Sequence, residues 1–299
     1  TITGQDLSLS VGDTIPDLNY TVSGWKYSDA SAPFAPDPTS FSNVALWVDA
    51  ADSSTITESS GAVSQWNDKS GNGKHLTQAT AAQKPSTGIS TLGGKNILNF
   101  GGDDYMTNTS FSVSQPDMIV MVARANGTVD SAFMLDGSSS RQTIHIHATQ
   151  KWSIYAGSSE PTGGSIDFEP HIFTAFYNGA SSVLWVDGTS TIASNPGTAA
   201  LTGIIVGART GGSLPFKGDI AEVLVISSAS ASDRSAVEGY LAHKWGMANR
   251  LPSNHSYRSV SLTQAPIVST DATNSSGAGT YYVRPSGAAS TKYSFAYVD

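Results

Sequence analysis

The 299-residue sequence contains no cysteine, which excludes disulfide bridges and thiolate chemistry of any kind. Charge is scarce too: Asp, Glu, Lys and Arg make up 13% of the chain, about half the ~25% of ordinary soluble domains. The 16 basic residues form no cluster and face 24 acidic ones, for a net charge of −8. Attraction to nucleic acid or to an anionic membrane is thereby excluded as the basis of function. Long apolar runs are missing as well. Met118 to Ala123, among the longest, is far too short to cross a bilayer, so no membrane insertion is expected. No basic stretch precedes an apolar core near the first residue, a Thr, which reads as the cut end of a piece from a longer polypeptide. Gly-x-Ser-x-Gly, His-Glu-x-x-His, a phosphate-cradling Gly-Lys-Ser/Thr and a helix-opening Gly-x-Gly-x-x-Gly are all missing, so nucleophilic, zinc-protease and nucleotide chemistry lack support.

What is present is enough apolar side chain, 39% of residues, to bury a sizeable core. The apolar period is mostly two, in short runs punctuated by Gly, Asn, Asp and Ser, the pattern of an all-β sandwich. Strands are expected at Ala45 to Val48, Ile97 to Phe100, Asp117 to Ala123, Gln142 to Ala148, Lys151 to Tyr155, His171 to Tyr177, Ser181 to Val186, Ile204 to Ala208 and Gly218 to Ser227. One helix is expected from Ser232 to Trp245. There Val237, Tyr240, Leu241 and Trp245 fall on one face, with Ser232 as N-cap and Gly246 just past the end. Pro33, Pro36 and Pro38 mark a boundary before this block, and a polar break with Pro252 and Asn254 marks one after it. The chain thus divides into a central domain, 41–257, and two short tails, 1–33 and 259–299, neither long enough to fold alone.

The tails carry a resemblance. Ser10-Val-Gly-Asp-Thr-Ile-Pro-Asp-Leu-Asn-Tyr-Thr-Val-Ser-Gly-Trp25 resembles the opening of the MBG-type repeats of large bacterial surface adhesins. Ala265-Pro-Ile-Val-Ser-Thr-Asp-Ala-Thr273, Gly279-Thr-Tyr-Tyr-Val-Arg-Pro-Ser-Gly287 and Tyr293-Ser-Phe-Ala-Tyr-Val-Asp299 resemble its closing half. The resemblance implies one small β domain split by an insertion, with Tyr20, Val22, Tyr281 and Val283 in its core by alternation and Trp25 between the domains. The central block resembles the laminin-G-like, concanavalin-type lectin sandwiches of bacterial extracellular proteins. The likeness is carried by Ala45-Leu-Trp-Val-Asp-Ala-Ala-Asp52, Trp66-Asn-Asp-Lys-Ser-Gly-Asn-Gly73, Asn99-Phe-Gly-Gly-Asp-Asp-Tyr105 and Gly218-Asp-Ile-Ala-Glu-Val-Leu-Val225. It implies a jelly roll of two antiparallel sheets that binds glycans, often with calcium.

Two groups of residues could carry such chemistry. Asp68 and Asn72 in one Gly-punctuated turn, and Asp103 and Asp104 after Gly101-Gly102, are the oxygen-rich side chains that Ca²⁺ takes. The same residue types also satisfy turn geometry by bonding their own backbone. Arg141-Gln-Thr-Ile-His-Ile-His147 and Lys151-Trp-Ser-Ile-Tyr155 put polar groups beside aromatic rings, as a sugar needs. From them His145, His147, Trp152 and Tyr155 are candidate ligand-binding residues, joined by Arg209, which could bond an acidic sugar. Alternation places His145 and His147 opposite the core; a zinc site from this pair lacks a third ligand. Trp47, Trp66, Trp185 and Trp245 read as packing residues. Asp219 and Glu222, three apart on a strand, are expected on opposite faces, too poorly placed for the paired carboxylates of glycoside hydrolysis.

The expectation is a monomeric, non-enzymatic, carbohydrate-binding segment of a bacterial cell-surface adhesin. It would bind a glycan or polysaccharide on a host or neighbouring cell with calcium and flank further repeats of its own polypeptide. The rivals are a structural spacer without a ligand and a polysaccharide hydrolase.

Overall fold

The computed structural model describes residues 38–41, 43–127 and 131–259, together with the backbone of residues 2–3, 21–22, 267–270 and 283–286. The chain divides into two compact units, Thr1–Phe34 with Ser261–Asp299, and Ala35–Val260. In the first, Ile2–Thr3 pairs antiparallel with Thr21–Val22, and Ile267–Thr270 with Val283–Ser286. The side chains of Val22 and Val283 are not described, and Tyr20, Trp25 and Tyr281 lie outside the described residues.

The second unit is an antiparallel sandwich. Its strands are β1 (Val44–Asp49), β2 (Ile56–Ser59), β3 (Ala62–Trp66), β4 (Leu76–Thr77), β5 (Ser86–Leu92), β6 (Lys95–Gly101), β7 (Met106–Val113), β8 (Asp117–Ala125) and β9 (Ala132–Asp136). They continue as β10 (Thr143–His147), β11 (Lys151–Tyr155), β12 (Thr162–Ser165), β13 (His171–Tyr177), β14 (Val183–Val186), β15 (Thr189–Ala193), β16 (Leu201–Val206) and β17 (Lys217–Ser227). One layer runs β15-β14-β13-β8-β17, and the far side of β17 is shared end to end by β1 and β6, with β5 beyond β6. The other layer runs β2-β3-β4-β7-β16-β9-β10-β11-β12.

The expected all-β jelly-roll-like sandwich with one short helix is therefore what forms. Alternation explains the first layer well. Leu46, Phe100, Met121, Phe173 and Val223 point inward to meet Trp66, Met106, Met134, Ile144 and Ile154 of the second. The opposite side chains of the first layer, among them Met118, Val120, Val122, Leu224 and Ile226, are buried too, beneath Val237, Tyr240, Leu241 and Trp245 of the helix α1 (Ala231–Lys244). A strand covered on both faces loses its polar alternation, which is why β8 and β17 read as continuous apolar runs.

The helix begins one cap earlier than its periodicity predicts. Ser230, not Ser232, caps it, in a reciprocal box with Asp233. Gly246 follows at φ 72°, the left-handed turn that ends helices and favours glycine. Beneath α1 lies a buried polar knot. The Glu222 carboxylate accepts from Trp47 Nε1 (2.6 Å), Tyr240 Oη (3.0 Å) and Trp245 Nε1 (2.8 Å). It also pairs with Lys244, Nζ 2.7 Å from Oε2. Lys244 reaches Asp49 (2.7 Å), and Lys69 links Asp49 (3.0 Å) to Asp52 (2.8 Å). The quoted tryptophans and acids of the lectin-like motifs thus fasten the helix to β1 and β17.

The expectation that Asp219 and Glu222 point to opposite faces is corrected. The pairing of β17 with β8 shifts register between Val122 and Ala123, a bulge that gives Ala221 no partner. The extra residue returns both acids to the helix-side face. Asp219 is held there by Arg124 and by Asn99 Nδ2 (2.8 Å).

Replacing Glu222 by Leu strands three buried N–H or O–H donors and leaves Lys244 with Asp49 as its one carboxylate. It is expected to cost about 3–5 kcal/mol in chemical denaturation. Asp117 gives a second outcome. It is fully buried at the start of β8, with Oδ1 accepting from Gln142 Nε2 (2.8 Å) while Oδ2 and Gln142 Oε1 lack partners. Burial pushes its carboxyl up from 3.8 to about 7. The folded chain then holds a proton that the unfolded chain releases, so this residue makes stability fall as pH rises from 3.8 to about 7 and level off above. Urea melts of Asp117→Asn across that range should lack this component of the slope.

Candidate functional site

The outer face of the second layer, turned away from the core, is covered by no helix among the described residues and collects most of the candidate ligand-binding residues. On β10, Thr143, His145 and His147 alternate with the inward Ile144 and Ile146. On β11 their partners across the ladder are Tyr155, Ser153 and Lys151. Phe133 of β9 stands opposite His145 and stacks on it, with ring centroids 4.5 Å apart and planes within 6°.

Two arginines close over this stack. Arg141 Cζ lies 5.6 Å from the Phe133 ring centroid and 5.4 Å from that of Tyr155, and Arg209 Cζ lies 5.9 Å from Phe133. Asp136, fully buried at the end of β9, positions both. Its carboxylate grips Arg141 through Nε (2.8 Å) and Nη2 (2.9 Å) and accepts from the backbone N–H of Thr210 (2.8 Å), beside Arg209. Gly212 lets the 209–213 turn close: at φ 76°, a Cβ there would lie 2.7 Å from the Tyr105 ring.

The two histidines therefore differ. His147 is partly exposed and bonds Thr149 Oγ1 through Nδ1 (2.9 Å), with Nε2 4.0 Å from Glu160. His145 faces away from the core as alternation predicts, yet it is only 2% exposed, because Phe133 and the two arginine-bearing loops cover it. Burial, then the positive charges of His147, Arg141 and Arg209, pushes its pKa down to about 3. It is a neutral ring at any physiological pH, bonded to Thr143 Oγ1 at 2.8 Å.

Trp152 is not part of this face, and its assignment as a ligand-binding residue is corrected. Odd and even positions of β11 go opposite ways, and Trp152 goes inward, 3% exposed, against Phe173 (4.7 Å) and His171 (5.9 Å). Residues 133, 136 and 141 are the ones sequence reasoning missed as site residues. Arg141 was legible, since it shares the alternation of 143, 145 and 147. Phe133 was not, because β9 is a short apolar run buried at every position.

Of the four residues read as calcium ligands, Asp68 and Asp104 are engaged by the protein's own donors. Asp68 is already saturated: it accepts from the backbone N–H of Trp47 (3.0 Å), Ser70 (2.9 Å) and Lys74 (3.0 Å) and from Ser70 Oγ (2.8 Å). Asn72 turns its amide N–H to Val44 O (2.9 Å). Asp104 is buried against the Gly101 N–H (2.5 Å), and burial pushes its carboxyl up, while Asp103 is exposed. Among the described residues no group of three His, Asp or Glu side chains could hold a metal ion.

A β-sandwich with a polar and aromatic outer face is the class that these observations define. No family model matches the chain, and no curated protein matches it. Solved structures are similar in part. Trypanosoma rangeli sialidase in complex with sialic acid is 10% identical, over 71% of this chain and 36% of that one, with a TM-score of 0.49. Domain 4 of AbnA, a GH43 extracellular arabinanase from Geobacillus stearothermophilus, in complex with arabinotriose, is 11% identical over 64% and 96%, at 0.48. The binding domain of Paraclostridial Mosquitocidal Protein 1 is 9% identical over 66% and 52%, at 0.47. The chain spans about a third of the length of the sialidase structures it matches. The expectation of a non-enzymatic module is corrected by these matches, because they include enzymes, the sialidases and the arabinanase. At these identities no activity is carried over to this chain.

Because Asp68 makes four bonds that water would otherwise make, Asp68→Ala should cost about 2 kcal/mol in thermal or urea unfolding. The melting temperature of the unaltered protein should be the same in calcium and in chelator. A rise with calcium would return the loops to a metal-binding role.

Proposed function

We propose that the outer face formed by β9, β10 and β11 is a carbohydrate-binding surface. The observation that carries the reading is that Tyr155, Phe133, His147 and Arg209, from three strands and one loop, lie on one face. A sugar's apolar face packs on an aromatic ring while its hydroxyls need directional partners. Here the half-exposed Tyr155 ring adjoins the partly exposed Arg141 and, along the same face of the strands, Lys151 and His147. The side chains beneath them are fixed in advance: Asp136 holds Arg141, and Phe133 stacks on His145. Such preorganisation lowers the ordering cost of binding.

The reading rests on this geometry and not on the likeness to structures that hold arabinotriose or sialic acid. We further propose that the chain is a segment of an extracellular bacterial surface adhesin. In that setting the sandwich, inserted into a split MBG-like domain, presents its outer face to glycans of a host or neighbouring cell. The absence of cysteine, the low charge and the two motif resemblances support that setting. Calcium has no part in the reading, since the carboxylates of Asp68 and Asp104, two of the four groups expected to hold it, are engaged by protein donors.

A glycan array probed with the 299-residue protein tests the proposal. Selective binding that falls at least tenfold in Tyr155→Ala, with the melting temperature retained, is the expected result. Binding untouched by that substitution would place the site elsewhere, and no binding to any glycan would favour the spacer reading.

A further inference from the structure

Of the described arginines of the sandwich, Arg209 and Arg258 alone have no carboxylate partner, and Arg258 is bonded to Leu251 O. Arg124 is paired with Asp219, Arg141 with Asp136, Arg234 with Glu238 and Arg250 with Glu169. No carboxylate lies within ion-pairing distance of Arg209 among the described residues, and its buried Nε–H has no acceptor. That Nε–H is closed to solvent, so a ligand would meet this partly exposed side chain through its terminal Nη groups, and the fold fixes the backbone that carries it. The Arg209 backbone is held in a tight turn: its N–H donates to Ser213 O at 2.8 Å, and its own O accepts from the Gly212 N–H at 2.9 Å. The neighbouring Thr210 is tied to Asp136 and, through Oγ1, to Ser138 O (3.0 Å). Asp136 is spent on Arg141, so its charge neutralises that guanidinium and leaves the one on Arg209 uncompensated. Lys151 and His147 lie along the same face, with Glu160 as the acid nearest to His147. A chain with a net charge of −8 thus keeps an uncompensated cation on its candidate sugar face.

We propose that Arg209 receives a carboxylate on the ligand, so that the glycan bound at this face is an acidic one bearing a uronic- or sialic-acid-type sugar. The inference rests on the carbohydrate-binding reading of the face. The chemistry is specific. A guanidinium presents parallel N–H groups whose spacing matches the two oxygens of a carboxylate, and such charge-assisted bonds are about twice as strong as neutral ones. The low pKa of His145 agrees with the positive field of Arg209, Arg141 and His147, and as a neutral ring it leaves the anion to the arginine. Phe133 beneath the guanidinium keeps its plane in place and shields it from water on one side.

The test follows the arginine Nε–H resonances of ¹⁵N-labelled protein during titration with sodium glucuronate, sodium N-acetylneuraminate, glucose and glucose 6-sulfate. Sodium chloride holds the ionic strength constant. The expected result is a saturable shift of the Arg209 signal with one or both carboxylate sugars and none with glucose. The preferred acid should bind about tenfold tighter than glucose 6-sulfate. Which acid it is separates the uronic from the sialic source. Read at the backbone amides of residues 210–213, which every variant keeps, Arg209→Gln should abolish the response, and Arg209→Lys, which keeps the charge but not the fork, should weaken it while both variants melt as the parent does. An Arg209 signal that moves with no carboxylate sugar overturns the inference, as does a preference for the sulfate. Neutral and acidic glycans bound alike on the array, with Tyr155→Ala abolishing both, would leave the carbohydrate reading standing and this inference refuted. An Arg209 response to the acids with no glycan bound on the array would reduce the site to a carboxylate site without a glycan, and both the reading and this inference would fall.

Discussion

The structure depends on how one carboxylate is buried. Glu222 sits in the middle of β17, on the face covered by α1, and a lone charge there would be untenable. It is accommodated because two indole N–H groups, a tyrosine hydroxyl and an ammonium converge on it from β1 and α1. Burial still pushes its carboxyl up, against the pull of Lys244. Geometry this exacting fixes the register of β1 on β17 and the angle of the helix at the same time. That fixed layer is the floor against which the second layer packs, and the second layer carries the sugar face on its far side.

The two layers consequently play different parts. In the first, the central strands β8 and β17 are covered on both sides. Its polar groups are bound inward, Glu222 and Asp219 by the protein's own donors, so the bulge that brings the two acids to one face builds a packing device. The second layer has one face in the core and another on which Tyr155, Arg141, His147 and Lys151 are at least partly exposed. On that outer face the fold spends its charged side chains differently, tying Arg141 down through Asp136 and leaving Arg209 without a partner.

Much of this was legible in the sequence, for reasons that can be named. Lys151–Tyr155 and His171–Tyr177 form at the boundaries that alternation predicts, and the helix was set by the spacing of Val237, Tyr240, Leu241 and Trp245. Strands such as Thr162–Ser165 escaped notice because they are short, Gly- and Thr-rich and mostly exposed, and so carry little apolar signal. For the site, alternation put His145 and His147 on the correct face but could not show that two loops would bury the first. It also could not decide which parity of β11 faced the core, and Trp152 went inward. Asp68 and Asn72 were misread because a carboxylate saturated by backbone donors and one awaiting a cation have the same sequence signature.

The central claim is that ligands meet the outer face of the second layer. A rival surface exists on the flank, a polar groove of about 670 Å³ lined by residues including Val44, Lys74, Phe111 and Gln115. The most direct measurement is amide chemical-shift mapping of the labelled protein with the best oligosaccharide from the array. The account predicts shifts concentrated at residues 133, 141, 145–147, 153–155 and 209–213. Shifts concentrated at 43–45, 72–74 and 111–116 would contradict it.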